Sequence, residues 1–166
     1  MTTKFPIFFG IGLLLVGFVL WFGNFSTSDS RLQVSGEILK VRSMEMTPDS
    51  TLVILDFRMK NESNVNFVLK ESTILWTNSE GRELEATHVA RPDLDRVLQY
   101  AQQAGPKYNE MFVIRDKLTG KAMLDRMVSG TVPVSDAVFA KRKGLKLRLT
   151  DLDGQTFDFL ARAAKP

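Results

Sequence analysis

The chain of 166 residues has no cysteine and a single histidine, His88. Without thiols it can form no disulfide, no thiolate nucleophile and no zinc–thiolate site. His88 has no second imidazole to join it, and the nearby acids Glu83 and Glu85 belong to an ordinary polar hairpin. It is expected at the surface or in a capping role. No glycine-rich phosphate loop is present, and no serine stands in a G-x-S-x-G elbow. A dominant charge is missing too. The net charge is +3 and the sequence pI is about 9.3, a near balance that gives no reason to expect nucleic-acid binding. There is no internal repeat and no low-complexity segment. The expectation is a protein that is not an enzyme and uses no cofactor or metal.

What stands out is one long apolar run. Residues 5–25, FPIFFGIGLLLVGFVLWFGNF, contain no charged side chain. A helix of about 20 apolar residues crosses a bilayer, and in lipid the backbone must satisfy itself internally. The segment is therefore read as a single transmembrane anchor. Its lipid-facing residues include Phe5, Phe8, Phe9, Leu13, Leu14, Leu15, Phe18, Leu20, Trp21 and Phe22. Pro6 suits the first turn, and Trp21 with Phe22 suits the interface. Lys4 precedes the run, while the nearest basic residue after it is Arg31. This favours a cytoplasmic segment at 1–4 and a domain outside the cytoplasm. A cleaved signal peptide ending near Ser26, Thr27 and Ser28 is the rival reading, but signal cores run only about 7–15 residues. The absence of cysteine excludes a lipoprotein anchor. It also suits a bacterial envelope better than a disulfide-stapled ectodomain, so the expected location is the inner membrane with the domain in the periplasm.

After a polar tether at 26–30, residues 31–166 suffice for one domain. Alternation predicts strands at 32–41 and 51–60. In the second, Val53, Leu55, Phe57 and Met59 share the core face, and Asp56, Arg58 and Lys60 the solvent face. Pro48-Asp49 marks the turn between them. Residues 65–69 and 73–77 form one bent strand or two, and the turn 78–81 returns the chain to 83–86. The period then changes. Leu94, Val97, Leu98 and Ala101 fall at helical spacing in 91–104, with Pro92 in the first turn and Gly105-Pro106 as the stop. Strands resume at 111–115 and 126–134, Pro133 marking an edge or bulge. Ser135 can cap a short helix to about 143, and a last hairpin, 145–150 with 155–161, turns at 151–154. Short strands separated by turns indicate an antiparallel β-sandwich, with one inserted amphipathic helix.

The run VILDFRMKNESNVNFVLKESTILWTNSEGREL, with its strand ending in Asn61, polar turn, Phe67 and Gly81 hairpin, resembles membrane-anchored immunoglobulin-like sandwiches related to the LEA-like fold. It is also similar to small bacterial envelope domains of unknown function. SGTVPVSD followed by LKLRLTDLDGQTFDF strengthens the resemblance, which covers most of 34–159. It implies an interaction or tethering module and brings no catalytic residue with it.

Two surfaces are candidates for contact. One is the basic group Lys141, Arg142, Lys143, Lys146 and Arg148, either a solvated face or a site for anionic headgroups or an acidic partner. The other is the helix end and loop with Tyr100, Lys107 and Tyr108, expected to project stiffly because Pro106 limits the backbone. Asp151, Asp153 and Gly154 read as a turn and not as a calcium loop. Asp93 and Asp95 read as acids favoured at a helix start. The expected function is a membrane-tethered, non-catalytic module contacting another envelope protein. The alternative is a carrier or sensor of a small apolar or lipid ligand held between the sheets.

Overall fold

The computed structural model describes residues 5–26 and 31–161; side chains of the first helix are described at 9–21, and that of Gln102 is not. The expected N-terminal residues 1–4, the tether positions 27–30 and the side chains of Phe5, Phe8 and Phe22 thus lie outside the described residues. Helix α1 (Phe5–Ser26) has 22 residues and no acid or base in its end turns. Phe9, Leu13, Leu14, Leu15, Phe18, Leu20 and Trp21 are all exposed on it. Among the described residues, no helix is long and apolar enough to cross a membrane.

The rest is mainly β. Strands β1 (Val34–Thr47), β2 (Ser50–Asn61), β7 (Met123–Val132) and β5 (Thr87–His88) form one antiparallel sheet in the order β1-β2-β7-β5. Strands β4 (Glu83–Glu85), β3 (Phe67–Thr77), β8 (Gly144–Asp151) and β9 (Thr156–Leu160) form a second, with β6 (Lys117–Leu118) on the far end of β3. The inner faces enclose one aromatic core. Phe57 stands 5.9 Å from Phe112 and 6.2 Å from Phe159, Phe67 stacks on Phe112 at 6.2 Å, and Trp76 meets Phe139 edge-on at 5.8 Å. Val53, Leu55, Phe57 and Met59 are buried there, as their alternation predicts. Phe139 comes from the short helix α3 (Asp136–Ala140), which starts after Ser135 as expected but ends at Ala140 and not near 143, and Ser135 makes no side-chain cap bond to it.

Three expectations need correction. The strand expected at 32–41 is longer and runs to Thr47, up to the Pro48-Asp49 turn. Residues 111–115 make no strand; Met111 forms one isolated bridge to Met127. The helix expected at 91–104 is α2 (Arg91–Tyr100), followed by a 3-10 turn at Gln102–Ala104. Its C-cap Ala101 is extended, so Gln102 to Ala104 cannot continue the same spiral.

The main difference lies on the outer face of β2. Alternation predicts one buried face, yet Leu52, Ile54 and Asp56 are also buried. The reason is a third layer. Leu94 of α2 packs with Leu52, Ile54, Met111 and Met127, and Val97 and Leu98 lie against this cluster. The helix and the connection after it cover the outer face of the first sheet. A central strand covered on both sides need not alternate in polarity.

Candidate interaction surface

The cap layer is held by one buried ion pair. Asp56 in mid-β2 and Arg42 on β1 meet at 2.9 Å, with side-chain exposures of 3% and 9%. The other nitrogen of the guanidinium fork donates to the carbonyls of Ala104 (2.8 Å) and Pro106 (3.0 Å). Asn109 donates to the second Asp56 oxygen at 3.0 Å. One arginine thus ties two strands to the connection after α2. A buried carboxylate would be costly alone but is tolerated when paired and hydrogen-bonded. Arg42 Nε is buried without a partner among the described residues, so the cluster is not fully satisfied.

The expected projecting loop therefore lies flat. Tyr108 accepts a hydrogen bond from Lys40 Nζ at 3.0 Å, and its ring lies under Lys40 and Arg42. Lys107 pairs with Glu110 at 3.0 Å and Asp95 at 3.2 Å. Hydrogen bonding to Glu110 raises its ammonium above the ordinary lysine value. Arg91 joins the same network through Glu110 at 2.8 Å. Lys107 and Tyr108 are engaged within the domain, whereas Tyr100 is 79% exposed. Tyr100 borders a groove of about 740 Å³ lined by Met44, Met46, Arg96 and Val97, between the end of β1 and α2.

The basic group divides in the same way. Along β8, Leu145, Leu147 and Leu149 point inward and Lys146 and Arg148 outward, as predicted. Arg148 makes a two-pronged pair with Asp158 of β9, both contacts at 2.8 Å, and Lys146 meets Glu83 at 2.7 Å. The Arg148 hydrogen bonds hold the Asp158 carboxyl below the ordinary carboxylate range. Arg142 lies over the Phe139 ring at 4.3 Å, and burial pushes its guanidinium below the ordinary arginine value. Lys141 and Lys143 stay exposed. The five cations do not form one field.

Asp151 acts as a turn residue. One of its oxygens accepts from the Val68 N–H at 2.7 Å and the other from the Asp153 N–H at 3.2 Å. Gly154 there has φ +84°, a conformation that favours glycine. His88 is exposed, and among the described residues no cluster of acids and histidine could hold a metal. Sequence reasoning missed Arg42, Asp56 and Asn109. The available signal was an acid in the middle of the apolar stretch VILDF.

No protein-family model matches the chain, and no curated protein matches it. Among solved structures it is similar to the ycdA protein of Bacillus subtilis, at 10% identity and a TM-score of 0.45. That likeness covers 76% of this chain and 35% of the other, so the chain spans about a third of that protein's length. It is also similar to the archaellum periplasmic stator protein FlaG of Sulfolobus acidocaldarius (9% identity, 77% and 99% covered, TM-score 0.35). An uncharacterized β-sandwich protein of Clostridium difficile is a third (13% identity, 80% and 82% covered, TM-score 0.33). Likenesses this distant assign no function.

Proposed function

We propose that this chain is a membrane-tethered, non-catalytic binding or scaffolding module of a bacterial cell envelope, with its sandwich contacting another envelope protein. The observation that carries the reading is the pairing of the uncharged apolar run at 5–25 of the sequence with a sandwich whose interior is filled. As a helix at 1.5 Å per residue, a run of that length would extend about 32 Å, comparable to a hydrocarbon core of about 30 Å. Lys4 on the near side supports a cytoplasmic N-terminus and a domain in the periplasm. Its immunoglobulin-like character rests on the resemblance of 34–159 and on the antiparallel two-sheet order. The carrier alternative is less favoured, because Phe57, Phe67, Phe112 and Phe139, all fully buried, occupy the space a ligand would need.

The experiment is recovery of partners from crosslinked membranes, with the tagged full chain and a Tyr100→Ala variant. The expected result is a small set of envelope proteins, reduced by the variant. Recovery of lipid alone, with no protein partner, overturns the reading in favour of a carrier.

A further inference from the structure

Between β4 and β5 the chain changes sheets. Leu75, Trp76 and Thr77 of β3 pair with Glu85, Leu84 and Glu83, and the Ala86 N–H donates to the Ile74 carbonyl at 2.9 Å. The next residues, Thr87 and His88, pair instead with Thr131 and Gly130 of β7 in the other sheet. Gly130 permits this crossing, since a Cβ there would stand 3.1 Å from both the Ala86 Cβ and the Thr87 carbonyl oxygen. β3 is covered again only further on. Leu69 exchanges hydrogen bonds with Arg115 and Asp116, and Phe67 and Val68 pair with β6. Among the described residues, no strand lies on the edge between Leu69 and Ile74.

The register identifies the residue left open. Asn78 and Ile74 turn their backbone groups toward the β4 side, where Arg82 and Ala86 meet them. With a period of two, Ser72 turns the same way. Its partner across the sheet, Leu149, faces β9, as do Leu145 and Asp151, which bond Ala161 and Gln155. The N–H and C=O of Ser72 therefore point into the gap, where no strand among the described residues pairs with them. The gap opens into a notch of about 450 Å³ walled by Val113 and Ile114 over the buried Ala86 and Phe112, with Glu71, Glu85, His88 and Arg91 at its rim. Ile114 is 68% exposed. Beside it Arg115 is held at φ 73°, a costly conformation for a non-glycine residue that persists only where its surroundings impose it.

Alternation states what would fit. Ile74 and Trp76 point into the core, so Ser72 points inward and Glu71 and Thr73 outward. Glu85, opposite Leu75, is exposed. An extended segment paired with Ser72 sends one side chain inward over Ala86 and Phe112, and its neighbours outward beside Glu71 and Glu85. Neither carboxylate has an ion-pair partner among the described residues, whereas Arg91 at the same rim is taken up by Glu110. We propose that this notch binds an extended basic–apolar–basic segment of a partner protein by strand addition to β3 at Ser72. The proposal names one surface for the binding role argued above.

The test titrates the isotope-labelled full chain, in detergent micelles, with a short peptide carrying arginine–valine–arginine between glycine–serine flanks. The Ser72 amide resonance is expected to shift and saturate. N-methylation of the peptide valine removes a backbone donor and should weaken binding about tenfold, as loss of one hydrogen bond of the open edge implies. The double variant Glu71→Lys with Glu85→Lys, both changes at exposed positions, should keep the spectrum of the fold and prefer a glutamate–valine–glutamate peptide. An unmoved Ser72 amide, or equal binding of the N-methylated peptide, overturns the proposal. So does a Ser72 shift that follows protein concentration without peptide, which assigns the edge to a second copy. Crosslinked partners recovered undiminished with the double variant also overturn it, while leaving the binding role to another face.

Discussion

Arg42 and Asp56 matter more to this domain than their number suggests, because each is buried and each holds a different part of it. Removing one partner strands the other charge. Asp56→Ala should cost about 3–5 kcal/mol, the usual penalty for breaking a buried pair. Arg42→Met combined with Asp56→Leu should cost clearly less than the single change, since no buried charge remains. Urea denaturation of both variants checks this; equal costs would mean that the pair is solvated in solution. Phe57, between Phe112 and Phe159 and fully buried, gives a second test. Phe57→Ala should lower stability by about 3–5 kcal/mol in the same measurement, as buried Phe truncations do. A third concerns acid. Arg148 and Arg58 hold Asp158 and Asp125 below the ordinary carboxylate value, chiefly by hydrogen bonding. The unfolded chain then takes up protons first. The stability these acids contribute is whole above about pH 4 and is lost as pH falls through their folded values. The urea midpoint should fall in that acid range, and Asp158→Asn should flatten the fall.

At the scale of elements, the strands and their turns were legible because each signal was local. Pro48-Asp49, the 78–81 turn and the 151–154 turn all separate paired strands, and Leu145, Leu147 and Leu149 alternate as a half-buried strand should. The connection after α2 was not legible. Its course depends on Arg42, more than sixty positions away in sequence (the separation to Ala104 is 62), and no local pattern reports a contact of that range. The same is true of the outer face of β2, where Asp56 reads as solvated until the cap is placed over it. Tyr100, Lys107 and Tyr108 lie within nine positions of one another in sequence, yet their environments separate once folded. Lys107→Glu would put a fresh acid against Asp95 and Glu110, so any loss of binding in it would report a loosened cap. Tyr100→Ala touches an exposed ring and should leave the urea midpoint within about 0.5 kcal/mol of the parent, the usual range for surface changes. It is therefore the cleaner probe of recognition.

For the whole molecule, the proposed topology makes a direct demand. Protease added to intact spheroplasts should digest the domain and leave α1 protected in the membrane. A protected domain would reverse the orientation, and a soluble product beginning near Asp29 would show that the helix is removed. The sandwich also sets a timetable for its own synthesis. β2 pairs with β1 across a tight turn, but its other neighbour comes late: Arg58 meets Asp125, 67 positions further along. At about 5–20 residues per second, that gap lasts roughly 3–13 s. For that interval the most apolar strand of the domain waits with one edge unpaired and both faces uncovered, the state in which strands aggregate. Until β7 emerges, β1 alone shields one edge of β2.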